Sequence, residues 1–149
     1  MTLALSEIEI AWLAGLLEGE GYFDLDARSA KRYNVSTAPP SPFLRVAMTD
    51  RDIIERVSKL VKKRHFSPTR LTATGKQVYI VHVGDRATLS TLLPRLFPYL
   101  GKRRQEAVKS CLDALMEWEM WYAAGNRREM AKQGPLSRKL MASKSFDMM

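Results

Sequence analysis

The residues with the clearest chemical potential lie in the run Leu13-Ala14-Gly15-Leu16-Leu17-Glu18-Gly19-Glu20-Gly21. Two carboxylates, Glu18 and Glu20, close an apolar helical pattern there. The negative end of a helix dipole disfavours an anion by about 0.3–1 kcal/mol. Acids held against that dipole, beside glycines that open the backbone, read either as metal ligands or as two solvated glutamates at a helix end. Ala11, Gly15 and Gly19 recur every four residues and so share one helix face. Glycine inside a helix costs about 1 kcal/mol relative to alanine. A close backbone approach, which only small side chains permit, would offset that cost. Another helix of this chain, or the same helix of a second copy, would serve equally. His65, His82 and the single cysteine, Cys111, form no ligand cluster.

These residues need a scaffold, and the sequence outlines one. Ser6 and Glu9 form a capping box that opens the first helix, which is expected to stop at Glu18 or Gly19. Tyr22 to Arg28 alternates with period two and reads as a strand. A connection rich in proline (Pro39, Pro40, Pro42) leads to a returning strand, Phe43 to Met48. Thr49 and Asp52 signal a second helix carrying Ile53, Ile54, Val57, Leu60 and Val61. A second hairpin is expected from about Arg64 to Val83, with its turn near Thr74-Gly75-Lys76. Asp85 caps a third helix bearing Leu89, Leu92, Leu93 and Leu96. Gly101 precedes a fourth helix, Lys102 to Tyr122. Asn126 and Glu129 suggest a short helix at the start of a basic tail, 126–149, that is partly helical or disordered. The order is α-β-β-α-β-β-α-α, an α+β fold of one domain over 1–125, with an antiparallel sheet and helices on one of its faces. The strands mix Asp, Arg, Lys, Thr and Gln with apolar residues, so the other face is expected to be polar and open.

Charge points to a polyanionic partner. The chain of 149 residues has a net charge of +8. Between Arg28 and Lys76 the only acids are Asp50, Asp52 and Glu55, whereas Glu7, Glu9, Glu18 and Glu20 make the first segment acidic. Segregation of this kind favours a binding face over a uniformly solvated surface. No run is long and apolar enough to span a membrane. Residues 1–9 contain no Lys or Arg, unlike a signal peptide. One cysteine suits a reducing compartment, so an intracellular location is expected: bacterial or phage cytoplasm, or an organelle.

Leu13 to Gly21, LAGLLEGEG, closely resembles the motif of the LAGLIDADG homing endonucleases. The resemblance extends over the α-β-β-α-β-β-α order, about residues 6–122, and leaves out the tail. It implies an αββαββα core whose antiparallel sheet forms a DNA-binding saddle, with an extra C-terminal helix. A single motif implies a homodimer in which Ala11, Gly15, Leu16 and Gly19 pack against their symmetry copies. Such a pair would read a nearly palindromic duplex. The resemblance implies cleavage of both strands with Mg2+, or Mn2+ or Ca2+ in its place. Glu20 is the implied metal ligand, together with the main-chain carbonyl of Gly19; Glu18 matches an acid that is usually structural.

Two other segments carry over. Thr49-Asp50-Arg51 looks like the turn in which Asp50 would order water near the metal. Pro98-Tyr99-Leu100-Gly101-Lys102-Arg103 resembles the segment that carries a cation near the scissile phosphate; Arg103 is the matching position and Lys102 its neighbour. On the strands, Asp24, Asp26, Arg28, Arg45, Arg70, Thr72 and Lys76, with Lys31 and Arg32 near the first hairpin tip, are the expected DNA contacts. Arginine suits guanine and aspartate the cytosine N4 amino group, while any of these side chains could instead touch phosphate. The resemblance further implies intron or intein mobility. Two other readings fit the same residues. One is a non-cleaving nucleic-acid-binding protein of this fold, either an RNA splicing maturase or a DNA-binding regulator. The other is a basic structural protein whose binding follows salt alone.

Overall fold

The computed structural model describes residues 4–28 and 38–125. Lys31, Arg32 and the tail 126–149 lie outside the described residues. Helix α1 (Glu7–Glu20) leads directly into β1 (Gly21–Asp26). Then come β2 (Ser41–Met48), α2 (Arg51–Val61), β3 (His65–Phe66), β4 (Tyr79–Val83) and α3 (Arg86–Leu96). A 3-10 turn at Phe97–Tyr99 leads to α4 (Lys102–Ala123). The strands form one antiparallel sheet in the order β1-β2-β4-β3. The expected α+β class and element order are what the chain adopts.

The core is a single cluster between the helices and one sheet face. Phe23, Leu44, Val46, Val81 and Val83 point into it from the strands. Ile10, Leu13, Ala14 and Leu17 enter from α1, Ile54, Val57 and Val61 from α2, Leu89, Leu92, Leu93 and Leu96 from α3, and Val108, Cys111 and Leu115 from α4. Strand alternation therefore leaves Tyr22, Asp24, Phe43, Arg45 and His82 on the opposite, open face. Trp118 is fully buried and its Nε1 donates to the Pro40 carbonyl at 2.8 Å, which ties α4 to the approach to β2. Burial pushes the Cys111 thiol up to about 11, so it is a packing residue.

The helix caps match the sequence pattern, while several element ends differ from it. Both capping-box bonds are present, Glu9 N to Ser6 Oγ at 3.1 Å and Ser6 N to Glu9 Oε1 at 2.9 Å. The Asp85 carboxylate caps α3 through Thr88 N at 3.1 Å. Helix α1, however, continues through Gly19 to Glu20. The strand Tyr22–Arg28 is shortened to Gly21–Asp26, because Arg28 turns back and donates from Nε and Nη2 to the Asp26 carboxylate, at 2.9 and 3.0 Å. Helix α2 takes Asp50 as its N-cap residue, not Thr49. The second hairpin is mostly loop: β3 has two residues, while the expected turn is present, with Gly75 at φ +82° and its N–H bonded to the Thr72 carbonyl at 2.9 Å.

Candidate active site

The C-terminus of α1 abuts the N-terminus of α4. Glu18 Oε1 accepts from the Gly101 N–H at 2.7 Å, and Gly101 is the N-cap residue of α4. Arg104 Nε donates to the Glu18 carbonyl at 3.1 Å. This arrangement accounts for an acid at the wrong end of its own helix: Glu18 opposes the α1 dipole and satisfies the dipole and an orphan N–H of α4. The other end of α1 is anchored by the same half of the chain. Arg95 Nη2 lies 2.6 Å from Glu7 Oε1, Arg95 Nη1 donates to the Leu5 carbonyl at 2.7 Å, and the Tyr99 hydroxyl donates to Glu7. Those bonds hold the Glu7 carboxyl below its ordinary range, the Tyr99 bond most of all. Replacing Glu18 with Ala should therefore lower stability by about 1 kcal/mol. Thermal unfolding followed by circular dichroism should show a midpoint a few degrees lower; an unchanged midpoint would remove this role.

Glu20 is differently placed. It is exposed, and among the described residues it makes no hydrogen bond or ion pair. Lys102 and Arg103 are exposed on the first turn of α4, again with no acid partner among the described residues. Asp50 comes to the same end of the sheet, since Gly21 at the start of β1 pairs with Val46 near the end of β2. An aspartate at an N-cap normally accepts a backbone N–H, yet Asp50 makes no such bond and is exposed. Glu20 thus ends α1, Asp50 lies in the β2–α2 turn and Lys102 and Arg103 open α4, and no hydrogen bond or ion pair among the described residues uses their side-chain charges.

The donor set suits a hard cation. Glu20 offers a carboxylate, and Gly19 is among the last four carbonyls of α1, which have no partner within the helix. Among the described residues no three His, Cys, Asp or Glu side chains gather into a metal cage. Mg2+ commonly takes one or two carboxylates, completing its shell with water and substrate phosphate. Gly19 and Glu20 fit that pattern, which leaves coordination positions for groups from outside this chain.

The α1 face is open as well. Ala11, Gly15 and Gly19 are exposed, Leu16 is half-buried, and Ile8, which spacing could have placed on this face, is 80% exposed. A Cβ built on Gly15 or Gly19 would meet nothing within 4 Å. No contact among the described residues explains these two glycines.

The expected DNA contacts divide into groups. Asp26 and Arg28 neutralise each other, and Thr72 Oγ1 is used by its turn, accepting from Lys76 N at 3.0 Å. Arg70 and Lys76 are exposed. Asp24 accepts from the Tyr22 hydroxyl at 2.6 Å, which lowers its pKa. Arg45 lies at the middle of the open face, among Tyr22, Phe43 and His82. None of those three is among the expected DNA contacts, although Tyr22 alternates with Asp24 and Phe43 with Arg45. Trp118 and Trp121 are buried, as packing residues.

This fold is the one seen in solved homing endonucleases. The homing endonuclease I-CvuI, solved with the I-CreI target, is similar at 19% identity and TM-score 0.56, over 96% of this chain and 86% of that one. The archaeal intron-encoded homing endonuclease I-Vdi141I, complexed with DNA, is similar at 15% identity and TM-score 0.57, over 91% of this chain and 84% of that one. The LAGLIDADG homing endonuclease I-SmaMI, bound to cleaved DNA, gives 16% identity and TM-score 0.53, over 91% of this chain and 43% of that one. No family model and no curated protein sequence matches. No described helix is long and apolar enough to cross a membrane.

Proposed function

We propose that this chain is a site-specific double-strand DNA endonuclease that acts as a homodimer on a long, nearly palindromic site. One observation carries the reading: the helix that ends in Glu20, which has no partner among the described residues, is also the helix whose glycine face has no neighbour among them. Pairing two such helices would cover the glycines and bring two copies of Glu20 to one two-fold axis. The structural neighbours support a duplex as partner, since I-CvuI and I-Vdi141I were solved with DNA. I-SmaMI supports the pairing, since one copy of this chain spans 43% of that chain.

Glu20 and the Gly19 carbonyl would hold Mg2+ in each protomer. I-CvuI complexes were solved in 2 mM Mg and in 2 mM Ca. The chemistry such a cation supplies when bound is charge on the phosphoryl oxygens and acidification of a water. Asp50 would orient water at the same edge, and Lys102 or Arg103 would stabilise the charge that develops on the phosphate. A homing role, in which the coding intron or intein is copied into the cleaved site, follows from the same reading.

Selection of cleaved molecules from a randomised duplex library in Mg2+ tests the proposal. The expected product is one family of sites with two-fold symmetry. Cleavage without sequence preference, or none at all, would overturn it.

A further inference from the structure

The open face of the sheet holds one built side-chain cluster, centred on Arg45. Tyr22, Arg45 and His82 lie directly opposite one another across β1, β2 and β4. Phe43, two residues from Arg45 on the same strand, shares that face. Its ring stacks on the His82 imidazole with centroids 5.3 Å apart and planes at 26°. It also tilts against Tyr22 at 5.8 Å and lies 5.7 Å from the Arg45 guanidinium carbon. Arg45 Nε points to His82 Nδ1 at 3.4 Å. In that contact Nδ1 is the acceptor.

The surroundings keep this arrangement in place. Asp24, an acid on the same face, is engaged by the Tyr22 hydroxyl at 2.6 Å, and Arg45 has no acid partner among the described residues. A Cβ on Gly84 would lie 3.1 Å from His82 Nε2, tighter than an ordinary contact, so the missing side chain there makes room for the imidazole. Arg45 is thus bounded by Phe43 along its strand and by His82 across it, while its side chain remains exposed.

With Nε directed at His82, the Nη1 and Nη2 groups are the donors left to meet a ligand. Arginine's donor fork matches the paired O6 and N7 acceptors that guanine shows in the major groove. A phosphate contact needs charge and tolerates many rotamers; a base contact gains from a side chain whose direction is set beforehand. We infer that Arg45 is a specificity-determining residue of the open face, reading guanine in duplex DNA, and that Phe43 and His82 are its positioning residues. The inference rests on the DNA-binding part of the proposed function and is independent of cleavage.

The test is selection of bound, uncleaved duplexes from a randomised library in Ca2+, with wild type, Arg45→Ala, Arg45→Lys and His82→Ala, each checked for its folded state by circular dichroism. Wild type should enrich guanine at one position in each half-site. Arg45→Ala should lower the preference at that position roughly 5- to 150-fold, the range for one bidentate pair, with other positions unchanged. Arg45→Lys keeps the charge without the fork and should also lose the preference. His82→Ala should weaken it at the same position alone, which a merely structural defect would not do. A wild type with no guanine preference, or an Arg45→Ala profile identical to wild type, overturns the inference. So does an Arg45→Ala loss spread evenly over all sequences with a shallower salt dependence, since that marks a phosphate contact. Selective binding without cleavage in Mg2+ would leave the inference standing and overturn the endonuclease reading.

Discussion

Glu20→Gln should abolish cleavage of a selected target in Mg2+ while leaving the fold and the preferred sequence intact. The substitution keeps size and hydrogen-bonding capacity and removes one negative charge. In the isolated protomer that charge has no structural use, since Glu20 is exposed and makes no ion pair or hydrogen bond among the described residues. Thermal stability should therefore be unchanged, or slightly higher, because an anion opposing the α1 dipole is removed. The catalytic effect should be large. Charge stabilisation by a bound cation is worth several kcal/mol, and each 1.36 kcal/mol is tenfold in rate. Losing the carboxylate that holds the cation should slow single-turnover cleavage by about three orders of magnitude or more. Binding measured in Ca2+ by gel retardation separates this loss from a failure to dock. A Glu20→Gln protein that cleaves within tenfold of wild type would remove Glu20 from the mechanism.

Comparison with Glu18 sharpens the expectation. The two acids are two residues apart and indistinguishable by local pattern. Glu18 is bonded to the Gly101 N–H, so its loss should be felt in stability. Glu20 has no such bond, so its loss should be felt in the reaction. A pair of variants with the opposite pattern would exchange the two assignments.

The division between Glu18 and Glu20 also shows where sequence reading stops. Contacts at three or four residues were legible: the Ser6–Glu9 box and the Asp85 cap follow from spacing alone. The partner of Glu18 lies 83 residues away, and no local pattern contains it. The family resemblance assigned Glu18 a structural place without saying what it would hold. Gly19 misled for a related reason. It looked like a helix terminator, yet the chain stays helical to Glu20 because Gly21 is the residue that cannot carry a side chain. A Cβ there would lie 2.8 Å from both the carbonyl oxygen and the Cδ2 of Leu17. The Asp26–Arg28 pair was legible in principle, as both were placed on one side of a strand, but each was read as a DNA contact and not as the other's partner. The open sheet face was anticipated as polar; its aromatic content, Tyr22 and Phe43 around Arg45, depends on which residues the register places side by side.

The glycine face permits a prediction whose sign depends on the assembly. In an isolated protomer, Gly15→Leu should be stabilising. A Cβ at Gly15 meets nothing within 4 Å, and a better helix former replaces glycine, a gain of about 0.8 kcal/mol. In a symmetric dimer packed on that face the same side chain separates the two helices. Inserting bulk into a packed contact costs about 1–3 kcal/mol, and two-fold symmetry applies it twice. The dimer dissociation constant should then rise at least roughly 30-fold. Cleavage should fall with it, because on the proposed mechanism each protomer would supply one Glu20 for one strand. Sedimentation velocity over a range of concentrations reads the mass, and chemical denaturation of the same samples reads stability. The expected result is a protein that sediments as a monomer where wild type is a dimer, with double-strand cleavage lost. A Gly15→Leu protein with unchanged mass and higher stability would mean that nothing packs on this face. The small residues at Ala11, Gly15 and Gly19 would then be without a structural reason, and the two-fold arrangement of Glu20 would fall with them.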